Sequence, residues 1–121
     1  MDLNGEINRR ELRRYIARIS DRWPLDVARL GGARVADERG ALPQRERGPE
    51  FVVVLVSSVY AGMPWLERVY QAGSLWDAME MGDRAEVHCY TPAEYERRLT
   101  ALPKVQDAAA GLDLLAQDDE L

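Results

Sequence analysis

The stretch Phe51-Val52-Val53-Val54-Leu55-Val56 is the most apolar in the chain, six residues entered at Glu50 and left at Ser57-Ser58. Its valines favour an extended backbone, because a branched Cβ packs well on a pleated surface. An unbroken apolar run, without polar alternation, implies a strand covered on both faces. The chain is thereby committed to a layered fold in which this strand lies inside a helix-covered sheet. A buried strand holds the residues at its ends rigidly. Chemistry is therefore to be sought there, and Glu50 is the one acid at the strand's mouth.

The elements around it follow from period and punctuation. Leu12, Ile16, Ile19 and Trp23 recur at helical spacing with Tyr15 beside them, while Arg9, Arg10, Arg13, Arg14, Arg18 and Arg22 fill the remaining sides. This predicts an amphipathic helix over 9–22, capped by Asn8 and stopped before Pro24. A short strand over 25–30 ends at Gly31-Gly32. Residues 31–49 are poor in apolar side chains and read as a long charged loop, interrupted by a short helix near 35–39. After the central strand, a turn at Gly62 leads to a helix over 64–81 that places Leu66, Val69, Gly73 and Trp76 on one face and ends at Gly82. Trp65, Trp76, Met63, Met79 and Met81 in this segment read as core, with any exposed remainder pointing to an interface.

Residues 84–90 alternate weakly, as a strand does. Thr91-Pro92-Ala93-Glu94 then has the form of a capping box with proline at the first helical position, so a helix starts at Pro92 with Tyr95 and Leu99 turned inward. A further short helix over 104–110 closes at Gly111, a small strand covers 112–116, and the acidic end, 117–121, reads as a frayed tail. The expected fold class is α/β (α+β). It comprises one domain over 1–121 with a small mixed sheet of three to five strands, covered mainly on one face by helices.

Charge and cysteine usage narrow the function classes. The net charge of -5 divides into +2 over residues 1–50 and -7 over 51–121, and 15 of the 16 basic residues are arginine. That is not the clustered basic stripe of a nucleic-acid binder. The single cysteine, Cys89, cannot form a disulfide within the chain. No apolar run reaches membrane-spanning length and the first residues lack the plan of a secretory signal, so the expected setting is a soluble protein of a reducing cytoplasm. His88 is the only histidine; beside Cys89 in one strand, it points to the opposite face, and the two cannot share a metal or act as a dyad.

The order of these features resembles the minimal nucleotidyltransferases of the DNA polymerase beta superfamily: a strand ending in Gly31-Gly32, a charged loop, a buried strand opening at Glu50, and a strand running into Tyr90-Thr91-Pro92-Ala93-Glu94-Tyr95. The resemblance spans roughly residues 9–116, and only the Tyr-Thr-Pro-Ala-Glu-Tyr stretch is close in letters. It implies a nucleotide-binding turn at Gly31 and Gly32 with Arg34 beside it, Glu50 in the place of a first metal-binding aspartate, and Glu86 in the place of a third acid. Val52 stands where a second aspartate would be. Valine offers magnesium no ligand, so the two-metal arrangement loses a bridging carboxylate.

Three readings follow. The first is a nucleotidyltransferase-fold protein with a degenerate metal site that acts by binding a nucleoside triphosphate or a protein partner; the resemblance implies a small helical partner, as in toxin and antitoxin pairs. The second is an active magnesium-dependent transferase that recruits Glu50, Glu86 and Glu38 or Glu46 as substitute ligands. The third is a structural or regulatory homodimer without a nucleotide site, which expects an apolar patch on 63–81 and a filled groove at Gly31. Residue by residue, Glu50 also reads as a solvated strand start, Glu86 as a wet-face strand residue, and Gly31-Gly32 as a plain turn.

Overall fold

The computed structural model describes residues 6–40 and 48–116. Four strands, β1 (Val27–Gly31), β2 (Phe51–Val56), β3 (Ala85–Tyr90) and β4 (Leu112–Asp113), form one sheet in the order β3-β2-β1-β4. β2 runs antiparallel to β1 and parallel to β3, and β4 pairs antiparallel with β1. The helices are α1 (Arg9–Arg22), α2 (Ala33–Glu38), α3 (Trp65–Ser74), α4 (Ala78–Met81), α5 (Pro92–Ala101) and α6 (Pro103–Ala109), with a 3-10 turn at Ser58–Gly62. This is the small mixed α/β architecture expected. The acidic end over 117–121 and the loop segment 41–47, Glu46 included, lie outside the described residues.

All six residues of β2 are buried, as its composition requires. Phe51, Val53 and Leu55 point into the larger core, where Leu12, Tyr15, Ile16 and Ile19 of α1 and Ala72 of α3 meet them. Aromatic edges lock this side together: Tyr15 and Phe51 each lie against Trp76, with ring centroids 5.1 and 5.3 Å apart. Val52, Val54 and Val56 face the other way, onto a smaller cluster with Tyr90, Val105 and Ala108, flanked by Tyr95 and Leu99 of α5. Helices thus cover both faces, unequally.

The predicted ends held where a side chain itself makes the cap. Asn8 Oδ1 accepts from the Glu11 N–H at 3.1 Å at the start of α1. Both halves of the capping box form at α5, with the Thr91 N–H donating to Glu94 at 2.8 Å and the Glu94 N–H donating to Thr91 at 3.3 Å. Gly82 takes the left-handed conformation that closes α4.

The helix expected over 64–81 is two helices. After Ser74 the chain turns through Leu75 and Trp76, and Asp77 starts α4 by accepting from the Glu80 N–H at 3.1 Å. The Trp76 indole N–H donates to the Asp83 carbonyl at 2.9 Å, so the ring is turned into the core by a bond across α4 and not by helical periodicity. Leu66, expected on the inward face, is 79% exposed; Met79 is 93% and Trp65 41% exposed, so these two leave the core that their composition suggested. Arg68 and Ala72 are the fully buried residues of α3, and Val69, expected inward, packs against the larger core beside them. Arg68 is buried because it has partners at every turn: it donates to the Met63 and Cys89 carbonyls at 2.9 and 3.3 Å and to Glu94 at 2.8 Å. One guanidinium thus joins α3, β3 and the cap of α5. The last strand is two residues long, since the chain leaves the sheet's edge after Asp113.

Candidate functional site

Strand register brings the candidate residues into one row. Gly31 pairs with Val52, and Val52 pairs with Glu86, so the three sit side by side across β1, β2 and β3. Alternation places all three on the face of the smaller cluster. The next row on that face is Arg29, Val54 and His88, and the one after it Val27, Val56 and Tyr90. His88 and Cys89 do face opposite ways, Cys89 lying in the larger core. Burial pushes its thiol up to about 12, which keeps it protonated and unreactive at neutral pH.

Helix α6 roofs the row. A Cβ on Gly31 would come within 2.7 Å of both the Ala108 Cα and an Asp107 carboxylate oxygen, so glycine is what allows α6 to lie this close. Gly32 adopts φ 104°, a left-handed value, and a Cβ there would meet the Glu50 carbonyl oxygen at 2.6 Å. Its N–H donates to Asp107 at 3.0 Å. The next two N–H groups, of Ala33 and Arg34, donate to the carbonyls of Pro49 and Glu50 at 2.9 and 3.1 Å. Three successive backbone donors at the glycine turn, the kind that cradle a phosphate when free, are all engaged within the chain.

The two candidate acids are held by cations of different helices. Glu50 accepts from the Arg34 Nε at 2.7 Å, both side chains being largely buried, and the guanidinium lies over the Phe51 ring at 5.3 Å. Arg34, a candidate nucleotide contact, therefore serves the strand's own mouth. Glu86 meets the Lys104 Nζ at 3.0 Å and the His88 Nε2 at 2.8 Å, and the other His88 nitrogen lies 2.9 Å from the Tyr90 hydroxyl. Partial burial raises the Glu86 carboxyl, but the bonds to His88 and Lys104 outweigh it and leave the group below the usual carboxylate range. Glu38 is paired with Arg9, whose hydrogen bond lowers its pKa in the same way. Among the described residues, no three His, Cys, Asp or Glu side chains gather as metal ligands.

Sequence reasoning missed Lys104 and Asp107. Both lie on α6, whose face toward the sheet is marked only by Val105 and Ala108 three residues apart. An open cleft of about 450 Å³ lies elsewhere, between the start of α1 and α4, lined among others by Asn8, Arg9, Arg34, Glu80 and Gly82. It takes in Arg34 without Gly31, Gly32, Glu50 or Glu86. No described helix is long and apolar enough to cross a membrane. Comparison with protein-family models, with curated proteins and with solved structures returned no match for the chain.

Proposed function

We propose that this chain is a nucleotidyltransferase-like scaffold that works by binding a protein partner and does not transfer nucleotides. The likeness draws support from the row Gly31, Val52, Glu86, since glycine turn, second acid position and third acid position fall side by side. The loss of transfer rests on one observation above all: the Asp107 carboxylate occupies the Gly32 N–H, the donor a triphosphate would need. A carboxylate there repels phosphate as well as excluding it. Val52, 2% exposed under α6, adds no ligand, and Lys104 competes with any cation for Glu86.

The substituted-ligand transferase is less well supported, because Glu50 turns to Arg34 of α2 while Glu86 turns to Lys104 of α6. Titration calorimetry with magnesium and each nucleoside triphosphate, followed by an assay for label transfer to the protein or an added acceptor, tests the proposal. The expected result is no metal-dependent heat and no transfer. Tight magnesium-dependent binding accompanied by transfer would overturn it.

A further inference from the structure

The surface formed by α1, α3 and α4 combines three properties. First, it is apolar where water reaches it: Leu66, Tyr70 and Met79 are 79%, 78% and 93% exposed, and Leu66 and Tyr70 stand one turn apart on α3. Second, from Ser58 to Asp83 every exposed charged residue is an acid, namely Glu67, Asp77, Glu80 and Asp83; the one cation there, Arg68, is buried. Third, the neighbouring helix is cationic on its outward side, with Arg10 and Arg14 there beside one acid, Asp21.

These helices form one continuous surface. The Asn8 side chain donates to the Glu80 carbonyl at 3.1 Å, the Tyr15 hydroxyl to the Ala72 carbonyl at 3.0 Å, Arg18 to the Leu75 carbonyl at 3.1 Å, and Arg22 to the Gln71 side chain at 3.0 Å. A cationic strip is thus stitched alongside an acidic and apolar one. A surface of this kind is complementary to itself under a two-fold rotation, which sets the cations of one copy against the acids of the other and does so twice. The apolar side chains then meet across the axis, where aromatic and methionine residues are favoured.

We propose that this face binds a second copy of the chain in an isologous dimer, with Leu66 and Tyr70 near the axis and the α1 arginines against the partner's α3 and α4 acids. The proposal stands apart from the loss of nucleotide transfer, since a dimer is compatible with either activity.

Sedimentation equilibrium on the full chain tests it. The expected mass is twice 13.7 kDa, with the dissociation constant rising with salt and at least about tenfold higher for Tyr70→Glu. Two charge variants sharpen the test: Arg10→Glu/Arg14→Glu, and Glu67→Arg/Glu80→Arg. Each places like charges together twice and should be monomeric alone. Mixed, they should restore a one-to-one dimer, because both contacts are then between opposite signs. All substituted residues are exposed, and circular dichroism verifies that the variants fold. A wild-type chain that stays monomeric to high concentration, alone or while binding some other protein on this face, overturns the proposal; so does a dimer indifferent to Tyr70→Glu, or variants that do not re-pair on mixing.

Discussion

The two faces of the sheet are cut from the same strands, residue by alternate residue, yet they have little in common. One collects Phe51, Val53 and Leu55 with α1, α3 and a set of interlocking rings. The other collects Val52, Val54 and Val56 under α6, with Glu86, His88, Arg29 and Asp107 at its margin. The first face holds the larger core. The second brings together residue types a reactive site would use, and Glu86, His88 and Asp107 each make a hydrogen bond to a neighbour there. Charged groups alone do not make a site: an acid facing a lysine and a backbone donor facing a carboxylate have already spent their interactions on the fold.

Removing one large side chain from each face breaks or upholds this contrast most directly. Phe51→Ala in the larger core should lose about 3–5 kcal/mol in urea unfolding, and Val105→Ala on the sheet-facing side of α6 about 2 kcal/mol. Equal losses would end the claim that one face dominates. Val52→Asp restores the acid that the family resemblance calls for, but at a position 2% exposed. A loss of about 3 kcal/mol is expected, unchanged by magnesium in thermal melts; recovery on adding the metal would mean that the second face can hold one. Gly31→Ala forces a methyl against α6 and should cost about 1–3 kcal/mol, with faster amide exchange confined to α6 and the row beneath it.

The smallest effect concerns acid. The Glu86 pKa is lowered in the folded state, so its contribution to stability is present above the unfolded carboxylate value and fades as pH falls through the lower, folded one. Glu86→Gln should therefore cost a little stability at neutral pH, as befits a partly exposed ion pair, and converge on the wild type near and below pH 4, which flattens the acid limb of the stability curve. An acid limb identical to wild type would show that Lys104 and His88 do not engage Glu86 in solution.

How much of this was legible in the sequence follows from how far apart the partners lie. The buried strand, the Asn8 cap, the Thr91 and Glu94 capping box and the Gly82 stop are written within a few residues, and each appears where expected. The break after Ser74 was hidden because Trp76 keeps its helical place in the pattern while its indole bonds across to Asp83. Arg68 was hidden because a lone arginine gives no sign of burial; its partners lie at Met63, Cys89 and Glu94. The roof over Gly31 depends on Asp107, 75 residues from Gly32. Valine at position 52 could be read from the sequence, whereas the pairing of the remaining acids needed the fold.

The strand connectivity has a kinetic corollary. β1 and β2 are joined through residues 32–50, β2 and β3 through 57–84, and β4 returns to β1 only after the last helix. Among the described residues the sheet has no tight hairpin from which to start, so each of these strand pairs must close a long loop before its contacts offset the lost entropy. Folding should be slower than in a helical protein of the same length. Local structure such as the capped α5 can form early, but the apolar β2 waits for distant partners; while it waits, it is the segment of this chain most prone to pair with a neighbouring molecule.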